Sequence, residues 1–494
     1  MAVLALPLFA CAAAGRGGKV GAGAGKVGAG AAADAVATNA GPAPVEIARA
    51  TLGRMTAVKW RLGNGLEIVL APDPQATTIS YQTWYRVGSR NENEAGGETG
   101  LAHLFEHLMF TQTKAMPAGG FDREMEAAGA TANAMTSYDF TAYVNDIPPA
   151  ELAVAARLEA DRMLNLDLRK NQVETERDVV VEERLSAVED SVDGTLEEVL
   201  FKQAFKTHPY RWPVIGWMKD IKTVTRDKAV AFYRRFYVPG NAVVVLAGKF
   251  DAGAALELLA RSYGPLPATE PPPPDDAKPE RAPAAEVRAT LVRPLPADRL
   301  VVGFPAPSLA DPDRAAYEVA AEILAGGPSS QLPRTLVVDK QWASSVRGDV
   351  APTRDPGLYA IWVQMTKGRT AEEAERIIVD ATTALVARPV AAPQLGMAAA
   401  RLETELLRQL SSSHGRAEAL GSFEVAGGGF ARLYERAGEY ARVTADDVRR
   451  VANKYFAGGV RSVVIARPGP DRNASNGADT NTGSPNAGRG ARGD

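Results

Sequence analysis

The stretch VTRDKAVAFYRRFYVPGNAVVVLAG, residues 224–248, shows how the chain is organised. Its Thr225 is a typical helix N-cap, followed by an acid in the first turn and by a helical segment. A short turn then leads into β-branched residues typical of a strand. The stretch VTADDVRRVANKYFAGGVRSVVIAR, residues 443–467, has the same features in the same order. A helix, a turn and a strand are therefore predicted twice.

The two stretches match without gaps at a constant offset of 219 residues. The matches in the first stretch are Val224, Thr225, Asp227, Phe236, Tyr237, Val244 and Val245. A coincidence between two amphipathic helices followed by strands is the alternative, but this many matches favours duplication. Other segments mix strand-like and helix-like patterns in both halves. We therefore predict an α+β fold of two related domains, each a mainly antiparallel sheet with helices packed on it.

Composition divides the 494 residues into five parts. The start is rich in Gly and Ala, and the end is rich in Gly, Asn and Ser, so both have little to bury and are predicted to be disordered. Proline and charge replace apolar periodicity in a central segment, which is typical of an interdomain linker. The predicted parts are a leader and tether (1–49), a zinc-binding domain (50–268), a linker (269–285), a related domain (286–468) and a tail (469–494).

Charge and cysteine content exclude several classes. Charged residues make up 23% of the chain, and the net charge of -3 leaves no electrostatic footprint for nucleic acid. The single cysteine, Cys11, cannot form an internal disulfide, so packing alone must hold the fold.

The first residues, MAVLALPLFACAAAGRGG, contain an apolar run of signal-peptide length that is too short to span a bilayer. The segment ending at Cys11 resembles a bacterial lipobox, in which the cysteine is lipidated, although no Lys or Arg precedes the run and Phe9 is bulky. We expect a periplasmic protein with a lipid anchor at Cys11. The alternative is a cytoplasmic protein with an uncleaved start.

Chemistry is concentrated in GLAHLFEHLMF, residues 100–110. The chain has only four histidines, and His103 and His107 lie one helical turn apart, so both imidazoles can point at one spot. Glu106 lies at the edge of the same face. Two imidazoles suit zinc, and a nearby carboxylate can accept a proton from water. This arrangement is His-x-x-Glu-His, the inverted zincin motif.

A catalytic zinc usually has a third protein ligand, and ETERDVVVEERL, residues 174–185, offers one. Glu176 and Glu183 are two turns apart on one helical face, whereas Glu182 points elsewhere. The alternative for this run is an acidic, solvated helix face. A purely structural zinc site is disfavoured, because such sites have four ligands, commonly cysteine, and Cys11 lies in the tail.

These motifs resemble the pitrilysin, insulin-degrading enzyme and mitochondrial processing peptidase family of zinc metallopeptidases. GSRNENEAGGETGLAHLFEHLMF, HPYRWPVIG and FYVPGNAVVVLAGKFD occur in the family's order, and the resemblance covers residues 55–468. It implies that His103, His107 and Glu183 bind one Zn²⁺ and that Glu106 is the general base. It also implies that Glu176 orients a ligand.

The resemblance also implies an extended substrate. TANAMTSYD, around Asn133, Ala134 and Thr136, is similar to the family's edge strand, which pairs with the substrate backbone. Such pairing selects peptides or unfolded polypeptides. Outside the family context, this stretch would be an ordinary strand and turn.

The chain departs from the family in LPRTLVVDKQWASSV, residues 332–346. Val337 and Ser344 occupy the positions where the family has an arginine and a tyrosine that bind substrate and stabilise the oxyanion. We therefore expect a heterodimer whose partner supplies that pair, with a rescue by Arg334 or Arg347 as the alternative. Some relatives are non-catalytic assembly subunits, but those usually have damaged zinc motifs.

Overall fold

The computed structural model describes residues 42–273, 275, 277–278, 280 and 285–469. The strands of the first sheet are β1 (Val45–Leu52), β2 (Met55–Arg61), β3 (Glu67–Pro72), β4 (Ile79–Tyr85), β5 (Thr131–Thr136), β6 (Thr141–Ile147) and β7 (Ala242–Gly248). The strands of the second sheet are β8 (Val287–Arg293), β9 (Arg299–Ala306), β10 (Ala343–Val350), β11 (Gly357–Met365) and β12 (Ser462–Pro468).

Helices accompany each sheet. Those of the first half are α1 (Leu101–Leu108), α2 (Gly120–Ala127), α3 (Leu152–Asn165), α4 (Lys170–Arg184), α5 (Val192–Ala204), α6 (Met218–Ile221), α7 (Arg226–Phe236) and α8 (Ala252–Tyr263). Those of the second half are α9 (Arg314–Ala325), α10 (Gln331–Pro333), α11 (Ala371–Ala387), α12 (Ala392–Ser411), α13 (Ser413–Ala426), α14 (Ala431–Tyr440) and α15 (Ala445–Tyr455).

The two sheets share one topology. The first has the order β1-β2-β3-β7-β4-β6-β5, and the second, taken from its parallel edge, has the order β8-β12-β9-β11-β10. The pairs β3 with β7 and β8 with β12 are parallel, and the other pairs are antiparallel. The second sheet thus repeats five strands of the first, which carries β1 and β2 in addition. The prediction of two related α+β domains is confirmed.

The duplicated stretches occupy equivalent places. Thr225 caps α7 by accepting a hydrogen bond from the backbone amide of Lys228 at 3.4 Å. Thr444 caps α15 in the same way, from the amide of Asp447 at 3.1 Å. The strands that follow these helices, β7 and β12, each pair with a parallel neighbour on one side, β3 and β8 respectively. Sequence similarity and topology therefore report the same repeat.

Each half lends a helix to the sheet of the other. Helix α5 packs against β8, β9 and β12, whereas α13 packs against β4 and β7. The second contact is so close that a Cβ atom at Gly421 would lie 2.2 Å from the ring of Trp84. The halves are therefore interlocked through α5 and α13.

A buried arginine adds a polar tie between the halves. Arg90 Nη1 donates to Asp139 at 3.0 Å, and Arg90 Nη2 donates to Asp275 at 2.8 Å and to Asp355 at 2.6 Å. Asp139 belongs to the first half, Asp275 to the predicted linker and Asp355 to the second half. One guanidinium thus joins three segments of the chain.

The edges of the described structure can be compared with the predicted parts. Strand β1 begins at Val45, five residues before the domain boundary expected at residue 50, whereas β8 begins at Val287 and β12 ends at Pro468. Cys11, most of the predicted tether and nearly all of the tail lie outside the described residues. Within the described part of the chain, no helix has both the length and the apolar character needed to cross a membrane.

Candidate metal centre

Helix α1 carries the His-x-x-Glu-His motif, and its apolar side fixes its position. Leu101, Leu104, Phe105 and Leu108 are buried in the core of the first half. The ring of Phe105 stacks on that of Tyr233 with centroids 5.9 Å apart. Because these residues face the core, the two histidines and Glu106 are left on the other side of the helix.

The start of α1 is held by Glu92, a residue to which the sequence analysis gave no role. The two oxygens of its buried carboxylate accept hydrogen bonds from the backbone amides of Gly100 at 2.9 Å and Ala102 at 2.8 Å. These amides would otherwise lack partners at a helix N-terminus. Gly100 itself has a φ of 93°, a conformation that favours glycine. Glu92 therefore positions the helix that carries the motif.

Helix α4 presents the two predicted carboxylates. Val173 and Val180 on this helix are buried in the core of the first half. Glu176 and Glu183 lie two turns apart on one face, as the spacing predicted, and both approach α1. Glu182 is exposed.

The structure brings His103, His107 and Glu183 together. One possible ligand atom from each lies within 4.8 Å of the others. Glu183 Oε1 is 3.7 Å from Nε2 of His103, and Glu183 Oε2 is 3.3 Å from Nε2 of His107. Two imidazoles and one carboxylate around one point are a set of ligands that zinc takes in proteins.

The two other predicted residues flank this group. Glu106 Oε2 is 4.0 Å from Nε2 of His103, so its carboxylate borders the same space. Glu176 Oε2 is 3.7 Å from Nδ1 of His107, on the opposite side of that imidazole from Glu183. Glu176 therefore lies beside the His107 ring and outside the three-residue group.

Several polar atoms of the group are buried without a hydrogen-bond partner among the described residues. They include Nε2 of His103, Nε2 of His107, Oε2 of Glu183 and both carboxylate oxygens of Glu106. Leaving such atoms unpartnered costs stability. Their convergence fits a bound Zn²⁺, which would satisfy the nitrogen and oxygen lone pairs together.

Burial and neighbouring charges shift the pKa values of the group without metal. Burial raises the pKa of Glu106 to about 7 and lowers that of His103 to about 4. Burial alone would also lower the pKa of His107, but Glu176 and Glu183 outweigh it and raise that pKa to about 9. A carboxyl that titrates near neutrality suits a group that must both accept and return a proton.

The predicted substrate strand lies beside the group. Strand β5 is at the edge of the first sheet, where it pairs with β6. Asn133 is exposed, whereas Ala134 and Thr136 are buried. Thr136 lies next to Glu106 and lines the same cavity. The free edge of β5 therefore leads towards the histidines.

A cavity of about 630 Å³ connects the group with the second half. His103, Glu106 and Thr136 line it from the first half, and Arg347 and Trp362 line it from the second. The guanidinium of Arg347 lies 4.6 Å from the centre of the Trp362 ring. An arginine of the second half thus faces the same cavity as the motif.

The structure also locates Val337 and Ser344, which the sequence analysis aligned with the family's arginine and tyrosine. Val337 packs against the core, and the Ser344 hydroxyl donates to the carbonyl of Gln364 at 3.2 Å on the β10 edge. Arg334 is exposed and lies 3.9 Å from Asp339. Among the two rescue candidates, only Arg347 lines the cavity.

Two family models match the chain, and the second begins within the predicted first domain. The family model described as Insulinase (Peptidase family M16) matches residues 67–216. The model described as Peptidase M16 inactive domain matches residues 223–392. The residues of the candidate metal centre all lie within the first match, and none lies in the second.

Individual relatives match both halves together. A zinc protease from Helicobacter pylori, PqqE, is 29% identical over 413 residues, which span 82% of this chain and 92% of the relative. The beta subunit of the mitochondrial-processing peptidase of Blastocladiella emersonii is 27% identical, over 83% of this chain and 88% of the relative. The crystal structure of a protease from Helicobacter pylori matches with a TM-score of 0.80 at 28% identity, covering 85% of this chain and 100% of that chain.

Proposed function

Because this chain belongs to the insulinase family, peptidase family M16, as its motifs predicted, we propose that it is the zinc-binding subunit of an endopeptidase. Its substrates would be peptides or unfolded polypeptides. The observation that carries the proposal is the convergence of His103, His107 and Glu183 within 4.8 Å, with Glu106 beside them. Relatives named as zinc proteases support a peptidase at the level of the family.

In this proposal His103, His107 and Glu183 hold one Zn²⁺, and Glu176 orients the ring of His107. Zinc, when bound, supplies Lewis-acid chemistry that lowers the pKa of a water and polarises the scissile carbonyl. The three residues come from two helices, so the rigidity of the α1 and α4 packing sets the geometry.

Glu106 moves the proton. Its carboxylate borders the group at 4.0 Å from His103 and takes a proton from the attacking water. It then returns that proton to the amine that leaves. Burial raises the pKa of Glu106 in the metal-free chain, which favours uptake of a proton by this carboxylate.

Strand β5 positions the substrate. A peptide that adds to its free edge would pair through its backbone along Asn133, Ala134 and Thr136, and would run past Glu106. Backbone pairing requires an extended segment, so folded proteins would be excluded. The adjoining cavity of about 630 Å³ accommodates side chains next to the cleaved bond.

A partner completes the site in this proposal. Val337 and Ser344 cannot stabilise an oxyanion as an arginine and a tyrosine do. A related subunit that faces this chain would supply that pair and would close a chamber around the substrate. The relative named as a beta subunit of a processing peptidase supports an assembly of unlike chains.

Replacing Glu106 by Gln tests the proposal. The variant should lose peptide cleavage by about a hundredfold or more while it keeps stoichiometric zinc, because Glu106 acts on the proton and is not a ligand. Glu126→Gln, an exposed change on α2, is the matched control and should cleave normally. Cleavage that survives Glu106→Gln would refute the role of the base. Absence of cleavage by the natural protein with any partner would favour the non-catalytic assembly role instead.

We also propose that the chain is exported to the periplasm. The apolar start supports this location, and Cys11 offers a point for lipidation. Cell fractionation with Cys11→Ser tests both parts. A lipidated, exported protein should leave the membrane fraction on this change, whereas a cytoplasmic protein would fractionate as before.

A further inference from the structure

A second cavity, of about 380 Å³, borders the C-terminal end of α4 and is separate from the candidate metal centre. Four cationic side chains line it: Arg184 of α4, Lys202 of α5, Arg211 between α5 and α6, and Lys219 of α6. These residues come from four different segments of the first half. A group of cations brought together in this way repels itself unless anions neutralise it.

Carboxylates neutralise only part of this charge. Glu94 lies in the cavity wall and accepts from Arg211 Nη1 at 3.0 Å and from Trp217 Nε1 at 2.9 Å. Arg184 is paired with Glu198 at 2.5 Å and lies 3.3 Å from Glu189. Each of the two arginines is therefore ion-paired through part of its guanidinium group.

The two lysines have no carboxylate partner among the described residues. Lys202 is exposed, and its ammonium lies 5.2 Å from the centre of the Trp217 ring. Lys219 is exposed as well. Two exposed ammonium groups thus lie at one cavity without a carboxylate ion pair in the described part of the chain.

The arginines also retain unused donors. Nη1 of Arg184 and Nε of Arg211 are buried and have no hydrogen-bond acceptor in the described part of the chain. Arg184 as a whole is only 3% exposed. Buried guanidinium N–H groups without acceptors are costly, and an oxyanion would satisfy them with strong, charge-assisted hydrogen bonds.

We propose that this cavity binds a small phosphate or pyrophosphate anion. Arg184 and Arg211 would supply the planar donors, and Lys202 and Lys219 would supply the point charges that match several phosphate oxygens. The volume exceeds that of a single water and leaves room for a diphosphate. Glu94, whose carboxylate also lines the cavity, would hold Arg211 and Trp217 in place.

The site is connected to the metal centre through the chain. Arg184 directly follows Glu183 on α4, and the backbone amide of Trp217 donates to the Thr99 hydroxyl at 2.9 Å, just before α1. An anion that joins α4, α5 and the segment around Trp217 would therefore brace both helices of the centre. Binding should raise the midpoint of thermal unfolding, because the anion binds the folded chain and not the unfolded one.

Calorimetric titration of the full chain with pyrophosphate tests the proposal. The chain is first stripped of metal, so that the affinity of pyrophosphate for zinc contributes no heat. We expect saturable binding and a raised unfolding midpoint. Lys202→Ala/Lys219→Ala should weaken binding at least about tenfold, and both positions are exposed, so the fold should be kept.

Lys206→Ala/Lys222→Ala is the matched control, since it removes two exposed lysines of the first half outside the cavity. It should bind as the natural chain does. If both double variants lost the same pyrophosphate affinity, the loss would reflect net charge alone and would overturn the proposal. So would the absence of saturable binding in the millimolar range, or binding to vesicles that contain phosphatidic acid without binding to free pyrophosphate.

Discussion

Oε2 of Glu183 lies 3.3 Å from Nε2 of His107, although the two residues belong to different helices and are 76 positions apart in the sequence. Both atoms are buried, and neither has a hydrogen-bond partner among the described residues. Their proximity depends on how α4 packs on α1. A metal held between them would therefore cross-link the two helices.

Zinc binding should depend on Glu183 and not on its neighbour. Glu183→Gln removes a negative ligand from the group, so zinc content after dialysis should fall well below one per chain. Elemental analysis of the purified variant provides the measurement.

Glu182→Gln is the control for this change, because Glu182 is adjacent in sequence but exposed on another face of α4. It should keep full zinc content. Equal zinc loss in both variants would mean that the acidity of α4 as a whole, rather than the position of Glu183, retains the metal.

Glu92 should matter for both stability and metal affinity. Glu92→Gln leaves one acceptor oxygen and places an NH₂ group against a backbone amide at the start of α1. We expect a loss of about 2 kcal/mol in the free energy of unfolding, because a buried backbone amide at the start of α1 is left without an acceptor. Zinc should also bind more weakly, since His103 is one residue beyond the capped amide of Ala102. Urea unfolding and competition with a chelator measure the two effects.

Glu98→Gln provides the comparison for Glu92, since it lies in the same loop and its side chain makes no described hydrogen bond. Its stability should be close to that of the natural chain. If both changes cost the same, the capping role of Glu92 is wrong.

The parts of the fold that follow local rules could be predicted from the sequence. The Thr225 and Thr444 caps, the valine-rich strands after them and the helical spacing of His103 and His107 depend on neighbours along the chain. The duplication then implied two domains, each with a mainly antiparallel sheet. Helical spacing offered Glu183 as a candidate third ligand, and the family resemblance favoured it over an acidic, solvated helix face. Spacing alone places a carboxylate on a helix face but does not say which helix it will meet.

Other features lacked a local signal. Glu92 lies eight residues before the first amide that it caps, beyond the reach of the usual capping patterns. Helix α13 is buried on most of its surface, so no amphipathic stripe indicated that it would pack on the sheet of the first half. The cavity with Lys202 and Lys219 depends on segments that meet only after folding.

The free energy of unfolding should decrease at acidic pH, because Glu67 loses its charge there. Burial alone would raise its pKa, but Arg86 at 2.6 Å, Arg61 at 2.8 Å and Lys59 at 3.7 Å outweigh burial and lower the pKa to about 2. A lowered pKa in the folded state stabilises the chain above the unfolded value near 4.5, and this contribution is lost as the pH falls from about 4.5 to 2. Allowing for solvent screening, we expect it to be about 2 kcal/mol.

Urea unfolding of Glu67→Gln at pH 7 and pH 3, in the presence of a chelator, measures this contribution. The variant should be less stable than the natural chain at pH 7, and the difference should shrink at pH 3. Glu257→Gln, at an exposed pair with Arg261, should show no such dependence on pH. A Glu67 effect that is equal at both pH values would contradict the assignment.

The activity of the chain alone should be low if, as proposed, Val337 and Ser344 replace two groups that stabilise the oxyanion. The loss of one such donor typically costs about a hundredfold or more in rate, so mixing with a related subunit that carries the arginine and tyrosine should raise peptide cleavage by at least that factor. Arg347 is the internal alternative, since it faces the cavity of the motif, whereas Arg334 is exposed beside Asp339. Under the partner proposal, Arg347→Ala and Arg334→Ala should affect the mixed subunits equally little. A chain that is fully active alone, and that loses this activity on Arg347→Ala but not on Arg334→Ala, would place the missing donor within the chain and remove the need for a partner.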